Sequence, residues 1–165
     1  MAIESLVPDE TRRMVGQLLG EPLTATITAK EAQRFAMASG DLNPLYMDNA
    51  AARSAGFDGT LVPPVYLAWA LSAARPLSEI RDDGLYLSGG RRVPLNVARV
   101  MFGGEEWTFL EPALAGDTIT SEMRLKSLEE KTGSSGAFVL QITETTYTDQ
   151  RGRIVAKALG RSIAR

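Results

Sequence analysis

Asp41, Asn43 and Tyr46 lie close together in the run Ser39-Gly40-Asp41-Leu42-Asn43-Pro44-Leu45-Tyr46, where a carboxylate, an amide and a phenol share one short loop. A carboxylate can take or orient a proton, and a phenol can donate a hydrogen bond. Asn43 and Pro44 stiffen the loop that carries both, and Asp41 could also cap backbone N–H groups in so tight a turn. A phenol with an ordinary pKa near 10 is a poor proton shuttle at neutral pH, where an imidazole near 6.5 would serve. The 165 residues contain no histidine and no cysteine. Within them a Ser-His-Asp triad, a histidine base, a thiolate nucleophile and a Cys- or His-ligated metal site are therefore excluded.

Arg91-Arg92 and Arg99 form a second group, because guanidinium suits phosphate. Gly103-Gly104 reads as a turn or bulge; it lacks the strand–loop–helix context of a phosphate cradle. The net charge of −2 argues against a nucleic-acid partner. The longest apolar stretch, Leu61 to Ala74, is too short to span a bilayer and contains Pro63 and Pro64. The N-terminus shows no leader pattern, so a cytoplasmic location is expected.

The elements that must position these residues follow from spacing. The whole chain, 1–165, reads as one domain. A short helix is expected over Met14–Leu19 and a strand over Pro22–Ile27. Thr28 with Glu31 forms a capping box opening a helix that carries Ala32, Phe35, Ala36 and Ser39 and stops at Gly40. Asp48 caps a helix over Asn49–Ala55. Pro64, at a first helical position, starts a helix running toward Ala74 whose faces are nearly all apolar, which predicts a buried central helix with Trp69 in the core. Strands then follow over Asn96–Phe102, Glu105–Leu110, Thr118–Leu128, Ala137–Thr148 and Ile154–Ile163, with Trp107 in the core or at an interface. They are separated by turns at Gly103-Gly104, Ala115-Gly116-Asp117, Thr132 to Gly136 and Asp149 to Gly152. Helix early and meander late make an α+β fold.

The Ser39–Tyr46 loop resembles the S-G-D-x-N-P-[LI]-H loop of MaoC-like enoyl-CoA hydratases and dehydratases. Gly103–Trp107, Pro112–Asp117 and Glu144–Gly152 are similar to the N-terminal-type half of that family, the FAS1-like dehydratase domain, and the likeness spans roughly residues 10–165. The resemblance implies a hot-dog fold, an antiparallel sheet of about five strands wrapped around a long central helix. It also implies (R)-specific hydration of a 2-enoyl thioester, or dehydration of the 3-hydroxyacyl product, in acyl-chain metabolism, with a coenzyme A or carrier-protein thioester as substrate and no further cofactor. Catalytic members use the loop Asp and His as an acid–base pair, and a glycine N–H in a V-H-G stretch as the oxyanion donor.

Asp41 stands at the aspartate position, while Tyr46 stands where the histidine should be. Leu61-Val62-Pro63-Pro64 aligns with V-H-G, so Pro64, which has no N–H, falls at the glycine. The resemblance therefore implies a degenerate catalytic dyad at Asp41. Substrate contacts are expected from Asp41, Asn43, Tyr46, Pro63, Pro64 and Tyr66, with Arg91 and Arg99 toward the coenzyme A phosphates. It implies a non-catalytic acyl-binding half that joins a His-bearing hot-dog chain, as a heterodimer. The alternatives are a self-sufficient homodimer using Asp41 and Tyr46, a thioesterase drawing on Glu31 or Asp48, and an acyl-CoA-binding module.

Overall fold

A computed structural model describes residues 5–72, 76–80, 82, 84, 93–97 and 99–165. Five strands form one antiparallel sheet in the order β1-β3-β4-β5-β2, with β1 Leu23–Thr26, β2 Val100–Phe109, β3 Thr118–Gly133, β4 Gly136–Asp149 and β5 Ile154–Ala164. The β3–β4 hairpin is paired out to Gly133 and Gly136, leaving Ser134-Ser135 as its turn. The α+β expectation and the strand count both hold.

Helix α2, Ala29–Ser39, follows its sequence signals closely. The Thr28 side chain accepts a hydrogen bond from Glu31 N, and its hydroxyl donates to the Glu31 carboxylate at 2.7 Å. Gly40 ends the helix at φ 74°, a left-handed conformation that glycine adopts without strain. Loss of this N-cap in Thr28→Ala is expected to lower stability by about 1 kcal/mol, seen as a reduced urea midpoint at unchanged slope.

Three expectations are corrected. The first helix is α1, Asp9–Arg12, and not Met14–Leu19. Residues 16–19 instead run beside β3, with Gly16 N donating to Leu125 O and Leu19 N to Met123 O, because an extended segment there satisfies backbone groups of β3 beyond the end of β1. The two strands expected on either side of Gly103-Gly104 are one strand, β2, kinked by a bulge between Phe102 and Gly104. Gly104 takes φ 112°, and a Cβ on Gly103 would come within 3.1 Å of Arg161 O, so glycine suits both positions. Finally, the central helix is short. Helix α5 spans Tyr66–Ala70 and is capped by Leu71; a turn over Pro63–Tyr66, with Tyr66 N donating to Pro63 O, precedes it.

The core lies between one face of the sheet and two helices. Ala32 and Phe35 of α2, Tyr66 and Leu67 of α5, and Leu71 pack against Ile119, Tyr147, Val155, Ala156 and Ala158. Small alanines on β5 let the helical side approach the sheet closely. Helix α5 is two-faced and not buried all round: Tyr66 is 1% exposed, whereas Trp69, expected in the core, is 56% exposed. Trp107 is half-buried against the core and stacks on both Phe109 and Tyr147. No helix among the described residues is long and apolar enough to cross a membrane.

Candidate functional site

The Asp41–Tyr46 loop is built by short-range caps. Asn43 Oδ1 accepts from Leu45 N at 3.0 Å and opens a single helical turn, α3, Pro44–Met47, inside what the sequence suggested was irregular loop. Asp48 Oδ1 accepts from Ala50 N at 2.8 Å and opens α4, Asn49–Ser54. Leu61 N donates to Leu45 O, tying the loop to the strand-like segment that leads into α5. These bonds place Tyr46 and Pro64 on one cleft.

That cleft encloses about 200 Å³. Tyr46, Leu61, Val62, Pro64 and Leu67 line it from the helical side, and Phe109 to Ala113 with Val155 from the sheet. Its only polar side chains among the described residues are Tyr46 and Glu111. An apolar slot with few polar groups suits an acyl chain whose orientation is set by one or two hydrogen bonds. Burial raises the Tyr46 phenol above its ordinary value of 10.0, and the negative charge of Asp41 raises it further. Tyr46 is therefore a protonated phenol at neutral pH, fitted to donate a hydrogen bond and unfitted to accept a proton.

The other expected site residues fall elsewhere. Asp41 is exposed, close enough for its charge to act on Tyr46. Asn43 is a capping residue outside the cleft lining. Pro63 is buried and offers its carbonyl to Tyr66 N. Tyr66 belongs to the core, edge-on to Phe35 with ring centroids 5.4 Å apart, and does not line the cleft. Arg99 is exposed and exchanges backbone hydrogen bonds with Arg165. It precedes β2, whereas the cleft takes Phe109 at the far end of that strand, about 30 Å away at 3.3 Å per residue. Arg91 and Arg92 lie outside the described residues. Glu31 and Asp48 are engaged as helix-capping groups and do not line the cleft.

Sequence reading missed Glu111, Phe109 and Leu110. The available signal was their place at the end of a strand, just before Pro112-Ala113. That segment is held by Asp117, whose Oδ2 accepts from Leu114 N at 2.8 Å and whose Oδ1 accepts from Gln150 Nε2 at 2.7 Å.

A five-stranded antiparallel sheet in the order β1-β3-β4-β5-β2, packed on a helix with an apolar cleft where that helix begins, defines a hot-dog protein. The model of the FAS1-like, dehydratase domain region matches residues 13–158, and the chain belongs to this MaoC-like dehydratase family. It is 30% identical over 150 residues to a probable enoyl-CoA hydratase alpha subunit of Thermomonospora curvata, covering 86% of this chain and 46% of that one. It is 26% identical over 136 residues to a UPF0336 protein of Streptomyces griseus, covering 82% of each. Among solved structures, a chain of the ChsH1-ChsH2 complex from Mycobacterium tuberculosis superimposes with a TM-score of 0.69 at 20% identity, covering 93% of this chain and 86% of that one.

Proposed function

We propose that this chain is the acyl-binding, non-catalytic half of a two-chain enoyl-thioester hydratase/dehydratase, completed by a hot-dog partner that carries an Asp–His pair. The observation that carries this reading is the state of Tyr46. Where catalytic relatives need an imidazole, this cleft holds a phenol whose proton is bound more tightly than usual. Hydration needs a base for water, a proton donor to C2 and a donor to the thioester oxygen. The imidazole that serves as the first in catalytic relatives is missing by composition. At the aligned position the third is missing by covalent structure, since Pro64 has no N–H. What remains is an apolar slot with one hydrogen-bond donor, which is what a substrate-shaping half requires. The two-chain composition of the ChsH1-ChsH2 complex and the alpha-subunit label of the Thermomonospora relative support the same reading.

A general acid–base group is worth roughly 10²–10⁴ in rate and an oxyanion donor roughly 10²–10³. The purified chain is therefore expected to consume short, medium and bulky enoyl-CoA esters at least about 10⁴-fold more slowly than its complex with a His-bearing hot-dog chain, followed as loss of the conjugated thioester absorbance. Turnover at ordinary hydratase speed by the chain alone would overturn the proposal. The homodimeric alternative rests on the proximity of Asp41 to Tyr46. It requires that Asp41→Ala abolish activity in a partner-free preparation, yet the charge of Asp41 makes Tyr46 a weaker acid and offers it no route to becoming a base. The thioesterase alternative loses its candidate carboxylates to helix capping.

A further inference from the structure

We infer that Asp117 is a positioning residue of the cleft: it fixes one cleft wall through Leu114 and so sets how tightly an acyl ligand is held, without touching that ligand. The inference rests on the acyl-binding reading above and names the group on which the shape of that site depends.

Asp117 does not line the cleft. The sheet-side wall, Phe109 to Ala113, nevertheless hangs between two anchors, of which Asp117 is one. At the first, Leu110 N and Glu111 N both donate to Val155 O, at 3.0 and 3.3 Å. At the second, Leu114 exchanges two hydrogen bonds with Asp117. Asp117 N donates to Leu114 O at 3.0 Å, and Leu114 N donates to Asp117 Oδ2 at 2.8 Å. From this anchor the wall reaches across to the helical side. Leu114 bridges Leu61 in an antiparallel pair, with Val62 N donating to Ala113 O and Ala115 N to Thr60 O, each at 2.9 Å. Leu61 N in turn donates to Leu45 O, next to Tyr46. Leu61, Val62, Ala113 and Tyr46 all line the cleft, so this one bridge sets the spacing of its two sides. The bridge stands outside the five-stranded sheet, and so short a pairing needs outside support to keep its register.

The Asp117 carboxylate gives that support. It is 5% exposed, and a buried carboxylate must be satisfied at both oxygens. Oδ2 takes Leu114 N, while Oδ1 takes Gln150 Nε2 at 2.7 Å and Arg151 Nη2 at 3.3 Å. Arg151 is itself held through its Nε by Asp149, and Gln150 Oε1 accepts from Thr118 N at 2.8 Å. The Pro112–Asp117 and Glu144–Gly152 stretches therefore work as one device: the β4–β5 turn fixes the carboxylate, and the carboxylate fixes the wall. Only an acid can face donors on both sides. An amide of the same shape accepts at one atom and donates at the other, so in Asp117→Asn an NH2 group must meet either Leu114 N or the pair Gln150 Nε2 and Arg151 Nη2. Gln150 cannot turn its carbonyl to meet it without giving up Thr118 N.

The test compares the full-length wild type, Asp117→Asn and the double variant Asp117→Asn/Gln150→Glu. In the double variant donor and acceptor change places: the new NH2 donates to the new carboxylate, which still accepts from Thr118 N. Titration calorimetry with decanoyl-CoA is expected to show binding about tenfold weaker in Asp117→Asn and within about threefold of the wild type in the double variant, because a site loosens when its supporting hydrogen bonds go. Amide exchange read by NMR separates positioning from general stability. In Asp117→Asn the amides of Val62, Leu114 and Ala115 are expected to exchange at least about tenfold faster, with Val139 in the second core cluster little changed. Wild-type affinity in Asp117→Asn would overturn the inference, as would a double variant that binds no better than Asp117→Asn, or exchange that rises equally at Val139 and at the wall. Should Asp117→Asn fail to fold, the double variant still decides, since it must fold and bind as stated. If the wild type takes up no decanoyl-CoA, the acyl-binding reading is what fails, and the exchange pattern alone then supports or overturns the role of Asp117.

Discussion

Asp149→Ala is expected to destabilise the fold by about 2–3 kcal/mol, the value for losing charge-assisted hydrogen bonds from a buried carboxylate whose cationic partners remain half in water. The Asp149 side chain is fully buried at the β4–β5 turn. Oδ1 accepts from the backbone N–H groups of Arg151 and Arg153, each at 2.9 Å, and Oδ2 from Arg153 Nε at 2.8 Å and Arg151 Nε at 3.3 Å. Burial by itself would raise this carboxyl; the hydrogen bonds of Arg153 and Arg151 outweigh it and hold the group at about 2, against an ordinary 3.8. A carboxyl depressed in this way contributes its full stabilisation above about pH 4 and loses it as the pH falls through about 2. At 1.36 kcal/mol per pH unit the contribution is about 2.5 kcal/mol. Urea titrations at a series of pH values should show the wild type losing most of that amount between about pH 4 and pH 2, and Asp149→Asn losing correspondingly less over the same interval.

Tyr66→Ala is expected to cost about 3–5 kcal/mol, the range for truncating a buried aromatic. Tyr66 is the side chain of α5 that meets both Phe35 of α2 and the sheet, so its loss opens a cavity where two helices and the sheet converge. Tyr66→Phe keeps that packing and should stay within about 1 kcal/mol of the wild type, with acyl-CoA affinity unchanged, since the ring lies outside the cleft. Equilibrium denaturation and a binding isotherm together separate this core role from the ligand contact that the sequence suggested. A loss of affinity in Tyr66→Phe would return the residue to the site.

The parts of the molecule legible in the sequence are those with local causes. Thr28, Gly40 and Asp48 announce helix boundaries because a cap acts on residues within one turn. The Thr132–Gly136 turn and the long β-branched runs gave the hairpin for the same reason. The missing imidazole and the proline at position 64 are covalent facts and needed no structure. What escaped sequence reading depends on distant neighbours. Residues 16–19 have helical composition, yet β3 recruits them as an extended segment. Gly103-Gly104 reads in isolation as a turn or a bulge, and only pairing with β5 decides for the bulge. Trp69 has a core residue's chemistry, but half the surface of α5 faces outward. The cleft draws on Tyr46, Pro64, Phe109 and Val155, segments whose proximity no local pattern encodes.

The contrast between a four-residue, threonine-lined margin at β1 and a ten-residue apolar margin at β2 has a consequence for growth. A subunit adhesive at both ends could add neighbours indefinitely and become a fibre; one adhesive at a single end exhausts its valence after one encounter. If assembly proceeds along β2, the brevity of β1 leaves no second margin of comparable length for a further neighbour.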